Sequence, residues 1–98
     1  LIVACKSGNE KLVKYLVELG ANVNKKRKNH KTPLFYACKN GNENMVRYLV
    51  EHGANINVEN NKGETPLFYA CASGNENIVE FLIELGLSTN KENIYGES

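Results

Sequence analysis

The sequence predicts an all-α fold, built as a stack of closely similar helix pairs. Three observations predict it. Thr32-Pro-Leu-Phe-Tyr-Ala-Cys38 returns as Thr65-Pro-Leu-Phe-Tyr-Ala-Cys71, a period of 33 residues, and the first residues fall into the same register. Glycines align at positions 8, 41 and 74, and again at 20, 53 and 86. Each unit also carries the start and stop signals of two short helices. Self-similarity at such a fixed period is the mark of a repeat architecture.

The elements follow in order. Thr32 and Thr65 are placed to cap helices, their hydroxyls accepting a free N–H of the first turn. Pro33 and Pro66 then stand at the first helical position, where a missing N–H costs nothing. A short helix runs from Pro33 to about Asn40, and Gly41 ends it in a left-handed turn. Asn42 caps a second helix, with Glu43 near its positive end. Met45, Val46, Leu49 and Val50 give that helix one apolar face, and Gly53 stops it. The same reading gives helices at about 66–73 and 76–85, a truncated helix at 1–7 and its partner at 10–19. Polar, Asn-rich links join the pairs at 21–31, 54–64 and 87–97. Gly63 and Gly96 sit where a tight turn needs positive φ, and His30 takes that place, with strain, in the first link.

Composition narrows the function classes. Net charge is +1, all 11 acids are Glu, and no apolar run approaches the ~20 residues of a membrane span. No segment reads as a signal peptide. The charge is unevenly spread: residues 1–49 carry ten bases and three acids, residues 50–98 two bases and eight acids. Such a dipolar rod predicts a tendency to self-associate head to tail. Leu1-Ile-Val-Ala-Cys5 begins in mid-helix and Tyr95-Gly-Glu-Ser98 aligns with Lys62-Gly-Glu-Thr65, so the chain reads as cut from a longer array.

Thr-Pro-Leu-x-x-Ala, a glycine, and then the run ending in Gly-Ala-x-x-Asn at this period resemble the ankyrin repeat, over the whole chain. The resemblance divides it into a partial repeat 1–26, repeats 27–59 and 60–92, and the start of another at 93–98. It implies an ankyrin-type solenoid of antiparallel helix pairs with projecting β-hairpin-like loops, binding other proteins through the concave face of first helices and loop tips. Asn24, Asn57 and Asn90 would be loop-stabilising amides or substrates of an asparaginyl hydroxylase. The sequence departs from the pattern in three places. Phe35 and Phe68 replace the His that bonds the repeat's Thr. Arg27, Asn60 and Asn93 replace the Asp that often opens a repeat, which removes the acid from the usual loop hydrogen bonds. Leu87-Ser-Thr departs from Gly-Ala-x, so the third link is expected to sit differently.

Nothing points to catalysis, a cofactor or a metal. Cys5, Cys38 and Cys71 fall one per repeat, too far apart for a shared ligand set or a disulfide. They read as packing residues of a reducing, intracellular compartment, cytoplasmic or nuclear. His30 and His52 lie in different settings with no acid or thiol cluster beside them, and no glycine forms a phosphate loop.

The densest feature is Lys25-Lys-Arg-Lys28 with Lys31, on a projecting link. It reads as a site for an acidic protein surface near residues 25–39, as a nuclear-import or phosphate contact, or as a solvated loop. No aromatics interleave with the bases, which argues against single-stranded nucleic acid. Tyr36 and Tyr69 are either interface anchors or inter-repeat packing. Lys39, Asn40, Ala72 and Ser73 lie near the ends of the same helices. With the tips Lys28, Asn29, Lys31, Asn61, Lys62 and Glu64 they make the expected partner-binding surface. The reading is a protein-interaction scaffold without a small-molecule substrate or membrane association. The alternatives are a recruiting module of a larger enzyme or channel, and a nuclear role driven by residues 25–31.

Overall fold

A computed structural model describes the backbone of residues 1–94 and the side chains of residues 1–86. All regular structure among these residues is helical: α1 (Ile2–Ser7), α2 (Glu10–Glu18), α3 (Pro33–Asn40), α4 (Glu43–Glu51), α5 (Pro66–Ser73) and α6 (Glu76–Ile94). Within each pair a Gly-Asn turn reverses the chain, so the two helices pack antiparallel. Gly41 makes that reversal at φ 69°, and the Asn42 N–H reaches back to the Ala37 carbonyl at 3.2 Å. The side chains of Asn9, Asn42 and Asn75 then cap the second helices, accepting from Leu12, Met45 and Ile78 N–H at 3.0, 3.1 and 3.0 Å.

The pairs stack by equivalence. α3 packs between α1 and α5, while α4 packs between α2 and α6. The core is therefore one column in which Leu34, Ala37, Cys38, Met45, Val46 and Leu49 of the middle unit are almost fully buried. Burial is not equal along the column. Phe35 is 1% exposed and its equivalent Phe68 is 51% exposed, because α5 and its loop cover the first but no described element covers the second.

The two complete links form hairpin-like arms. Arg27 N–H bonds Lys31 O at 3.0 Å, and Asn60 N–H bonds Glu64 O at 2.9 Å. His30 adopts φ 64° and Gly63 φ 75°, as their place in the turn demands. The arms are fastened to each other. Asn61 N–H donates to Asn29 O at 3.1 Å. The Asn24 side chain donates to Gly53 O at 3.0 Å and accepts from Asn55 N–H at 2.7 Å, so this amide ties successive units together.

Two expectations are corrected. Thr32 does not cap: its hydroxyl is buried without a hydrogen-bond partner, whereas Thr65 Oγ1 accepts from Phe68 N–H at 3.4 Å. Phe35 stands buried where a His would have bonded that hydroxyl, so its polar partner is missing. The second correction is at Gly86. The helix expected to end at 85 continues to Ile94, through the expected third link. At Asn22 and Asn55 the side chain accepts from the N–H two residues on, at 2.9 Å in both, and this closes the turn after the helix. Ser88 stands at the equivalent place and offers a weaker alternative to the helix. Gly96, expected in a turn, lies outside the described residues.

Removing the orphaned hydroxyl is expected to help. Thr32→Val should raise stability by about 1 kcal/mol, read as a higher denaturation midpoint at unchanged slope. Asn24→Ala should lower it by about 1–2 kcal/mol, because two inter-unit bonds go at once. A fall for Thr32→Val would refute the orphan assignment.

Candidate functional site

Tyr36 of α3 and Tyr69 of α5 organise the face that the first helices share with the loop tips. Tyr36 is only 9% exposed, so it packs within the stack and does not stand as an open anchor. Two ammonium groups lie around its ring, Lys6 Nζ from α1 at 5.6 Å and Lys31 Nζ from the first link at 5.8 Å. Lys31 Nζ is also 4.7 Å from the Tyr69 ring centroid. Tyr69 is half-buried and gripped edge-on by Phe35 and Phe68, with centroids at 5.6 and 5.5 Å. One lysine thus bridges equivalent rings of successive units.

The Tyr69 hydroxyl belongs to a second network. It donates to Glu64 Oε1 at 2.9 Å, and the Asn60 amide donates to the same oxygen at 2.8 Å. Asn60 Oδ1 accepts in turn from the N–H groups of Lys62 and Glu64, both at 2.9 Å. The bond from Asn60, then that from Tyr69, holds the Glu64 carboxyl below the usual range, with Lys62 and Lys31 adding smaller attraction. Asn60 therefore restores the loop hydrogen bonds that the missing acid would have made. In the first arm, where Arg27 has that place, Asn29 Oδ1 accepts from Lys31 N–H at 3.0 Å instead.

The remaining expected residues divide. Lys28, Lys39, Asn61, Lys62 and Ala72 are exposed. Asn40 is occupied: its amide donates to the Cys5 and Lys6 carbonyls at 2.8 and 3.0 Å, clamping α3 to α1. Ser73 bonds its own helix, Oγ to Ala70 O at 2.9 Å. Sequence reasoning overlooked Lys6, although the period puts it under Lys39, and it overlooked the role of Asn60. The basic run also divides. Lys25, Lys26 and Arg27 rim a groove at the α1 end of the stack, floored by Leu1, Ile2 and Val3, whereas Lys31 turns to the tyrosines.

The thiols follow burial. Desolvation pushes Cys5 up to about 11 and Cys38 up to about 12, so both stay protonated at neutral pH. Cys71 was expected to pack like them but is exposed, for the same reason as Phe68. Among the described residues no group of three or more His, Cys, Asp or Glu could hold a metal ion. No described helix is long and apolar enough to cross a membrane.

A family model of ankyrin repeats, in three copies, matches residues 1–93. The chain belongs to the ankyrin repeat family. Ankyrin repeats are general protein–protein interaction modules. No curated protein matches the chain closely enough to add a relative.

Two outcomes are expected. A thiol reagent such as Ellman's should titrate one group quickly in the native protein and the other two only on unfolding, with the fast phase absent in Cys71→Ser. For Glu64, a depressed native pKa means a stabilising contribution that is present above the unfolded value of ~4.3 and lost as pH falls. Melting temperature should therefore fall less steeply between about pH 5 and 3 in Glu64→Gln than in the parent.

Proposed function

We propose that the chain is a non-catalytic scaffold that binds a protein partner through the first-helix face and the loop tips, with the partner's acidic surface over the first two units. The observation that carries this reading is the fastening of successive arms by the Asn61–Asn29 and Asn24–Gly53/Asn55 bonds. The arms hold one geometry before a partner arrives, so docking loses little conformational entropy. Around this ordered surface Lys6, Lys28, Lys31 and Lys39 concentrate positive charge, which raises the encounter rate with an acidic partner and fixes its orientation. Tyr36 contributes as the floor of the surface and Tyr69 as its partly open edge.

The test is capture from cell lysate by the immobilised chain. A face variant (Lys28→Gln, Lys31→Gln, Lys39→Gln) and an end variant (Lys25→Gln, Lys26→Gln, Arg27→Gln) run beside it. The two remove equal charge from different places. The expected result is a protein retained by the parent and the end variant and lost by the face variant. Retention by the face variant, or loss only in the end variant, would move the binding surface to the α1 end and refute the proposal.

A further inference from the structure

We infer that Lys6 and Lys31 form a carboxylate clamp over the Tyr36 ring, and that its ligand is a glutamate or aspartate side chain from an acidic segment of a protein partner. This rests on the first-helix face being the binding surface, and it assigns the point on that face where recognition occurs.

The two ammonium groups come from different elements, one from α1 and one from the link that follows α2, yet both are held around one ring. Like charges gathered at one place repel, and the π-face of the tyrosine offsets only part of that. Lys31 and the Glu64 carboxylate attract each other weakly. Glu64 Oε1 is already engaged by Asn60 and the Tyr69 hydroxyl. The pair therefore has room for a further anion, and binding one relieves the repulsion. Lys31 is half-buried between the two tyrosines, so its long stem is ordered in advance. What a ligand meets is an ordered Lys31 ammonium and a more exposed Lys6 ammonium, both within 6 Å of the centre of one ring.

The chemistry selects among anions. A nucleic acid would need open aromatic faces for its bases, but Tyr36 is nearly covered and Tyr69 is held between Phe35 and Phe68. The clamp holds two compact ammonium charges and no arginine, so it lacks the planar fork that grips carboxylate and phosphate alike in bidentate fashion. Point charges on lysine suit single carboxylates. Lys39 lies at the position of Lys6 one unit on and offers the next contact, while Glu64 repels acid beyond it. The acidic stretch of the ligand is thus confined to the first two units.

The experiment is a fluorescence-anisotropy titration of the whole chain with a labelled hexaglutamate peptide and, separately, a labelled oligothymidylate of equal charge, at fixed salt. Lys6→Met and Lys31→Met keep the apolar stems. Each should weaken hexaglutamate binding about tenfold, which is about 1.4 kcal/mol. The double variant should lose less than the product of the single losses, because both groups close on one carboxylate. Lys11→Gln/Lys14→Gln on α2 removes the same charge and should change binding less than about threefold. Circular dichroism confirms that each variant is folded. The clamp is overturned if the α2 variant loses as much, if the single losses multiply fully, if oligothymidylate binds as tightly, or if hexaglutamate does not bind. In that last case, a lysate protein still held by the parent and lost by the face variant leaves the scaffold reading standing and removes the clamp alone.

Discussion

α3 is buried on both flanks, by α1 on one side and α5 on the other, and the rest of the molecule follows from that sandwich. A helix pair of this length cannot cover its own apolar face, so each unit is stable only through its neighbours. The 33-residue period is what keeps the faces matched: Leu34 meets its equivalents because every unit turns at the same glycine and restarts at the same asparagine. The links inherit their positions from the stack. Once α1, α3 and α5 are side by side, the arms between them must also lie side by side, close enough for Asn29 and Asn61 to bond.

Helix existence, order and most boundaries could be read from the sequence because the signals are local. An Asn three residues before the N–H it accepts, or a glycine after the last apolar turn, acts within one or two turns of chain. The failures are of another kind. Thr32 and Thr65 are followed by the same Pro-Leu-Phe-Tyr-Ala-Cys run, yet one hydroxyl is orphaned and the other caps, because burial by the adjacent unit is not written in the local stretch. Cys38 and Cys71 likewise end the same Thr-Pro-Leu-Phe-Tyr-Ala-Cys run and are opposite in exposure. At Gly86 the Ala-Asn that follows Gly20 and Gly53 gives way to Leu87-Ser88, and the helix runs on. The site shows the same divide. The lysines and tyrosines were identifiable by type and register, but their roles were not. Tyr36 reads in sequence as either an anchor or inter-repeat packing, and in the fold it is nearly covered. Asn40 looks like a surface amide and is a clamp on the Cys5 and Lys6 carbonyls.

The first link shows how one short segment serves two ends. Its residues 25–27 rim the α1 end of the stack, and four residues later Lys31 lies against the rings of the next two units. The hairpin-like turn makes this division, with His30 in the left-handed region reversing the chain. A run of bases that looks like one patch in sequence is therefore two patches in space, and only the second borders the tyrosines.

The substantial packings join helices of one unit or equivalent helices of adjacent units. A pull applied at the two ends would therefore load the inter-unit seams one after another, without a central element to shear. Each seam carries its own fasteners: Asn40 on the Cys5 and Lys6 carbonyls in one, the Asn75 amide on Gly41 O at 3.1 Å in the next. The chain should lengthen under tension by shedding units in steps, with each released unit able to re-dock on its neighbour as a template.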